Sequence, residues 1–239
     1  MNIVNLLAGT WQDAVPVLKN QFPEAIWETL YVTVLATLFA LILGLPLGVL
    51  LVAGEDQKIL RVPKCVLTVL NWIINLLRSV PFLILMILVF PVTRWIVGTV
   101  VGTVASIVPL VIAAFPFVAR LVESSLREVD ANILEAAQSM GASPFQIIVK
   151  VMIPESMPSL INNMTTAVIT ILGYSAMSGI LGGGGLGKIA INYGYYRYQY
   201  PVMVCAVILL IVMVQVFQSC GTSLSVHSDK RLRNRKTKK

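Results

Sequence analysis

No charged residue occurs between Glu28 and Glu55, and the same holds from Trp95 to Ala119 and between Glu155 and Lys188. A helix crosses a hydrocarbon core with about 20 apolar residues, so each of these runs is long enough to span. Composition agrees: 57% of the 239 residues are hydrophobic, 12% are charged and the mean hydropathy is +0.84. A soluble domain carries about a quarter charged residues. The expectation is an all-α integral membrane chain whose five transmembrane helices lie at about 26–52, 65–89, 97–121, 157–180 and 201–219. These form one domain over 1–220, followed by a basic cytosolic tail over 221–239.

The net charge of +7 is concentrated in that tail, which holds seven lysines and arginines against Asp229 and so contributes +6. The rest is nearly neutral, which removes the argument for a nucleic-acid partner. The tail's expected role is topology and attraction to lipid headgroups. Counting lysine and arginine by side gives thirteen inside, namely Lys58, Arg61, Lys64, Arg120, Arg127, Lys150 and the tail's seven. Four fall outside, Lys19, Arg94, Lys188 and Arg197, with Arg78 set aside. This asymmetry puts the N-terminus outside and the C-terminus in the cytosol. Met1 to Gln21 lacks the basic start of a cleaved signal, and Trp11, Asp13 and Lys19 suggest a short interfacial helix. Cys65, Cys205 and Cys220 have neither metal nor disulfide spacing and are expected to be small buried thiols.

One stretch between the third and fourth spans is too polar to cross lipid: Glu135, Gln138, Ser139, Ser143, Gln146 and Lys150 fall within twenty residues. Two short helices are expected over 130–154. Asp130 caps the first, Ile133, Leu134, Ala137 and Met140 lie near one face, and Gly141 suits a left-handed stop. Ser143 caps the second, with Pro144 at its first position and Gln146 closing a capping box. Phe145, Ile148 and Met152 give it an apolar edge, and Pro154 is expected to end it. Helices this short are marginal in water and need a surface. Either the ends of the chain's own spans or a groove in another subunit could supply it.

Glu135, Ala136, Ala137, Gly141, Ile153 and Pro154 stand at the spacing of the Glu-Ala-Ala signature of permease subunits in bacterial ATP-binding-cassette importers. Val151 and Ile153 replace the usual Ile and Leu and keep apolar bulk. RSVPFLILM at Arg78 to Met86, PFVARLVESSL at Pro116 to Leu126 and GYSAMSGILGGGGLG at Gly173 to Gly187 resemble the methionine-import permeases of that superfamily. The resemblance implies a type I importer fold and a homodimer of five-span subunits in the bacterial cytoplasmic membrane. It also implies two cytosolic ATPase subunits that bind the ATP, and an extracytoplasmic solute-binding lipoprotein. The hairpin would be the coupling helix that docks into the ATPase. Met177 would lie near the gate.

The residues themselves leave several roles open. Asn163, Thr166, Thr170, Gly173 and Met177 follow helical spacing, so they form a packing seam or, where two copies meet, a solute pathway that would include Tyr174. Arg78 inside the second span needs protein or water. It is either a charge on the transport route or a pin satisfied by carbonyls freed at Pro81, and the pin is preferred. Gly44, Pro46 and Gly48 suggest close packing and a kink. Glu123 and Glu128 are expected in exposed ion pairs worth little. Gly182, Gly187 and Lys188 mimic a phosphate loop, but Ile189 stands where Ser or Thr must hold magnesium, so no nucleotide or metal site is expected. The glycines read as a flexible join to an outer loop, and Tyr193, Tyr195, Tyr196, Tyr198 and Tyr200 as an aromatic belt. His227 is the single histidine, and no catalytic constellation or cofactor site is expected. The alternatives are a permease for another amino acid or small solute in the same superfamily, or a secondary transporter acting alone. The latter would favour ionisable relays or internal repeats.

Overall fold

A computed structural model describes residues 11, 14–55 and 59–229, and all regular elements among them are helical. Helix α1 covers 14–20 and is followed by α2 (Phe22–Glu55), α3 (Lys64–Ser79), α4 (Phe82–Leu88), α5 (Phe90–Val97) and α6 (Thr103–Leu126). The hairpin consists of α7 (Ala131–Ser139), α8 (Pro144–Ile147), a wide π turn at Ile148–Met152, and α9 (Ile153–Glu155). Then come α10 (Met157–Ser178), α11 (Gly185–Ile189), a second π turn at Ala190–Tyr196, and α12 (Tyr200–Ser228). The basic tail from Lys230, together with Lys58 and Asp13, lies outside the described residues.

Helices α2, α6, α10 and α12 are each long and apolar enough to cross a membrane; α3 and α4 meet the same standard only together and are bent by 108° at their junction, which gives a fifth span if the pair crosses as one broken span. The break corrects the expected continuous second span. Pro81 offers no N–H and forces its predecessor out of the helical region, so Val80 sits at φ −83° and ψ 127°. Arg94 and Trp95 belong to α5. The third span begins at Thr103 and not at Val97, because Gly98 at φ 83° and Gly102 at φ 111° interrupt the helix between them. α2 extends over 34 residues, about 51 Å at 1.5 Å per residue, and overruns a core of about 30 Å. α12 likewise continues past Ser219 to Ser228, because Gly221 packs against Thr165 and the Ser225 hydroxyl donates to the Pro158 carbonyl at 2.8 Å.

The chain divides into two compact units. The first holds the described residues up to Leu38 with Pro81–Ile112 and Val168–Val216. Its core joins Ala14, Phe22 and Ala25 to Leu186, Ile189, Val202 and Ala206, so the starts of α2 and α12 close on α11. The second holds Phe39–Val80, Ala113–Ala167 and the described residues from Phe217. Leu51, Ile74 and Ala119 form its core, bordered by Leu47 and Leu70.

In this second unit the glycines of α2 do what small residues do in lipid, where backbones must approach closely to gain packing. A Cβ on Gly48 would lie 2.6 Å from both the Ala119 carbonyl oxygen and Val122 Cβ, and one on Gly44 2.8 Å from the Phe115 oxygen. Beside them runs a polar chain. Arg120 donates to Glu123 at 2.6 Å and to Asn75 Oδ1 at 2.9 Å; Arg127 reaches Glu123 at 2.8 Å and Glu55 at 2.7 Å. Glu123 is only 8% exposed, so the expectation of weak surface pairs is wrong for it. A carboxylate shared by two guanidiniums at the end of a span is buried because both its oxygens are occupied. Its hydrogen bond, and then Glu55, raise the Arg127 pKa above its ordinary value. Glu128 accepts from Ser159 at 2.9 Å and pairs with no cation among the described residues. The thiols also depart from expectation: Cys65 and Cys220 are exposed and Cys205 is half-buried.

Gly48→Ala is expected to lower the thermal midpoint of the detergent-solubilised protein by several degrees, corresponding to about 1–3 kcal/mol of overpacking. Gly54→Ala, whose Cβ would meet the ends of the Leu67 and Val62 side chains at 3.0 Å and beyond, should change it less. Equal midpoints for all three proteins would contradict the close approach.

Candidate functional site

The hairpin over 130–155 is held by local chemistry. The Asp130 carboxylate accepts from the Asn132 N–H at 2.9 Å and starts α7. At the other end Gly141 takes φ 78°, the Gly141 N–H donates to the Gln138 carbonyl at 2.9 Å, and the Ala142 N–H donates to the Ala137 carbonyl at 3.1 Å. A left-handed glycine lets the chain reverse without a Cβ penalty. The capping box forms as expected: the Gln146 N–H donates to the Ser143 hydroxyl at 3.4 Å, and the Ser143 N–H to Gln146 Oε1 at 2.9 Å. Pro154 does not end the second helix. The π turn at Ile148–Met152 widens the helix just before it, relieving the clash a proline ring makes with the preceding turn, and α9 carries on to Glu155.

The apolar residues of the hairpin split into two groups. Ala137, Ile147 and Met152 are buried. Met140 is 82% and Phe145 72% exposed, on either side of Gly141, with Ile133 and Val149 also exposed. A single buried stripe through Ile133, Ala137 and Met140 is therefore not what forms. Among the signature residues, Glu135, Ala136, Gly141 and Pro154 are exposed, Ile153 is half-buried, and Ala137 alone is interior. The outward group surrounds the turn.

On α10 the seam residues are placed individually. Asn163 donates to the Leu121 carbonyl at 3.2 Å and to the Ser125 hydroxyl at 2.8 Å, so it is engaged with α6. Thr166 is exposed, Thr170 half-buried, and a Cβ on Gly173 would meet nothing within 4 Å. Tyr174 stacks on Phe82 with centroids 4.7 Å apart and planes 3° from parallel. Met177 is 47% exposed near the end of α10. Arg78, the penultimate residue of α3, is exposed and makes no hydrogen bond or ion pair among the described residues, so the carbonyl pin preferred from sequence is not formed.

The glycine run after α10 is not a flexible join. Gly182 and Gly185 take φ 86° and 78°, and a Cβ on Gly179 would lie 2.5 Å from the Lys188 nitrogen, while Gly187 packs directly on Ala176. The turn is thus folded flush against the last turns of α10. Its N–H groups are satisfied by side chains of α2: Gly185 donates to Glu28 Oε2 at 2.7 Å and Leu186 to Thr29 Oγ1 at 2.9 Å. Glu28 Oε1 also accepts from the Thr103 hydroxyl at 2.6 Å, and the Gly102 N–H donates to the Gly182 carbonyl at 2.8 Å. Sequence reasoning missed Glu28 altogether. The available signal was a carboxylate at the edge of an otherwise charge-free span, which needs a partner. Nearby, Gln21 donates to the Tyr193 hydroxyl at 2.6 Å and the Arg197 guanidinium lies 4.6 Å over the Tyr193 ring, whereas Tyr195, Tyr196, Tyr198 and Tyr200 are exposed.

Residues 44–234 match the family described as binding-protein-dependent transport system inner membrane component. The probable D-methionine transport system permease protein MetI of Vibrio cholerae is 49% identical over 208 residues, covering 87% of this chain and 92% of that protein. Its counterpart in Pasteurella multocida is 47% identical over 204 residues, 85% and 94% of the two chains. Among solved structures, an inward-facing conformation of the MetNI methionine ABC transporter superposes with a TM-score of 0.85 at 40% identity, over 87% of this chain and 96% of that one. With the signature hairpin, the span arrangement and these relatives in agreement, the chain belongs to the inner-membrane permease family of binding-protein-dependent transport systems.

Proposed function

We propose that this chain is the permease subunit of an ATP-driven importer of amino acids, with methionine as the solute, working by alternating access. The single observation that carries the reading is the hairpin. Its fold is closed by its own caps, yet Met140 and Phe145 stand exposed on either side of Gly141, as a segment built to enter a groove would present them. The solute follows from the relatives named for methionine transport.

In this reading two copies pair and two cytosolic ATPase subunits receive the hairpins through Glu135, Ala136, Ala137, Gly141, Ile153 and Pro154. An extracytoplasmic solute-binding lipoprotein delivers methionine. ATP is bound by the ATPase, and this chain needs no cofactor or metal and carries out no reaction of its own. ATP binding closes the ATPase pair, draws the hairpins together and favours the outward state; hydrolysis releases it, the difference in affinity for the two states supplying the work. The solute passes along α10 by Thr166, Thr170, Tyr174 and the Met177 gate, with Asn163 holding that helix to α6. Arg78, exposed and without a partner among the described residues, faces that water-filled route or the second copy. The N-terminus lies outside and the C-terminal tail in the cytosol, along the lipid headgroups.

In vesicles containing this chain, its ATPase and its binding protein, uptake of labelled methionine should require ATP and be competed by unlabelled methionine but not by lysine or aspartate. Competition by those unrelated amino acids would move the solute elsewhere. Gly141→Val forces a β-branched residue into the left-handed region, a strain of roughly 1–2 kcal/mol. It should leave ATP hydrolysis in place and reduce uptake at least about tenfold. Normal uptake by that variant would remove the turn from the coupling mechanism.

A further inference from the structure

Glu28 is absorbed by none of the roles above. It is a carboxylate in α2, yet both its oxygens are spent on other elements: one on the Thr103 hydroxyl at the start of α6, the other on the Gly185 N–H in the glycine turn. Thr29, next to it, takes the following N–H of that turn at 2.9 Å while its own hydroxyl donates to the Ala25 carbonyl at 2.8 Å. The turn therefore hangs on two adjacent side chains of α2. On its other side it is pressed against α10, through Gly179 on the Lys188 backbone and Gly187 on Ala176. Met177 lies between Ala176 and Gly179 in sequence. A displacement of the turn cannot occur without displacing the end of α10 that bears Met177, since no side chain separates the two backbones.

We propose that Glu28 is the positioning residue of the gate: its carboxylate clamps the glycine turn to α2 and α6, and so fixes the position of Met177. This rests on the transport reading above, in which Met177 closes the pathway. Glu28 touches no solute. It acts by accepting from the Gly185 N–H and the Thr103 O–H, and charge-assisted bonds of this kind are about twice as strong as neutral ones.

The test compares Glu28→Ala, Glu28→Gln and Thr103→Val in the full complex with two readouts. Amide hydrogen exchange over 183–189 reports the clamp without any need for transport. The ratio of methionine taken up to ATP hydrolysed reports the gate. Glu28→Ala should speed exchange and lower the uptake ratio, each by at least about tenfold, as expected for two lost hydrogen bonds. Glu28→Gln should restore both to within about threefold, since its amide oxygen accepts from Gly185 and its amino group donates to the Thr103 hydroxyl. Thr103→Val, which keeps the shape and loses one bond, should fall between, and it carries the test if Glu28→Ala does not assemble. Unchanged exchange in Glu28→Ala, or in Thr103→Val where the alanine variant is absent, would show that the carboxylate does not hold the turn. Faster exchange with an unchanged uptake ratio would show that the turn does not set the gate. Absence of ATP-driven uptake in the unaltered complex would instead defeat the transport reading, and the exchange result would still decide whether the clamp exists.

Discussion

Hydrocarbon supplies no partner for a backbone N–H or C=O, so every departure from the helix inside this chain has to be paid for locally. The breaks are few, and where one is packed inside the chain a side chain or a glycine meets the need. At the glycine turn Glu28 and Thr29 accept the N–H groups of Gly185 and Leu186. At the second break Pro81 removes a donor in advance, and α4 restarts at once with the Leu85 N–H on the Pro81 carbonyl at 2.9 Å. Only the hairpin, capped by Asp130 and Ser143, turns with polar side chains throughout, which is why it sits between spans rather than within one.

That constraint also explains which features were legible in the sequence. Caps are local: Asp130, Gly141, Ser143 and Gln146 act within three residues of themselves, so their spacing alone specified the hairpin, and it formed that way. Charge-free length made the presence of apolar helices legible but not their ends: α6 starts at Thr103 rather than Val97, and α12 runs to Ser228 rather than Ser219. Close packing of Gly44 and Gly48 was also readable, since small residues in a membrane helix have few other uses.

What remained hidden depended on partners far away in the chain. Glu28 meets a glycine 157 positions on, so its place at the edge of a charge-free span signalled the need for a partner but not which one. Glu123 looked like a surface ion pair because its partners Arg120 and Arg127 are close in sequence; the contacts of those arginines with Asn75 and Glu55 are what bury it. The glycine run was misread as loose for a similar reason. Glycine permits flexibility and close approach equally, and only the backbone at Ala176 and Lys188 decides between them. Pro154 was read as a terminator, but a widened turn just before it lets the helix continue.

In the proposed mechanism force enters at the exposed Met140 and Phe145 and is resisted at the turn beside Met177. The most direct measurement of this account places a single cysteine at Phe145, with Cys65, Cys205 and Cys220 replaced by serine, and applies a membrane-impermeant maleimide. The account predicts labelling in inverted vesicles but not in intact cells, and protection when the ATPase subunit is bound. Labelling in intact cells, or labelling in inverted vesicles that the ATPase does not suppress, would contradict it.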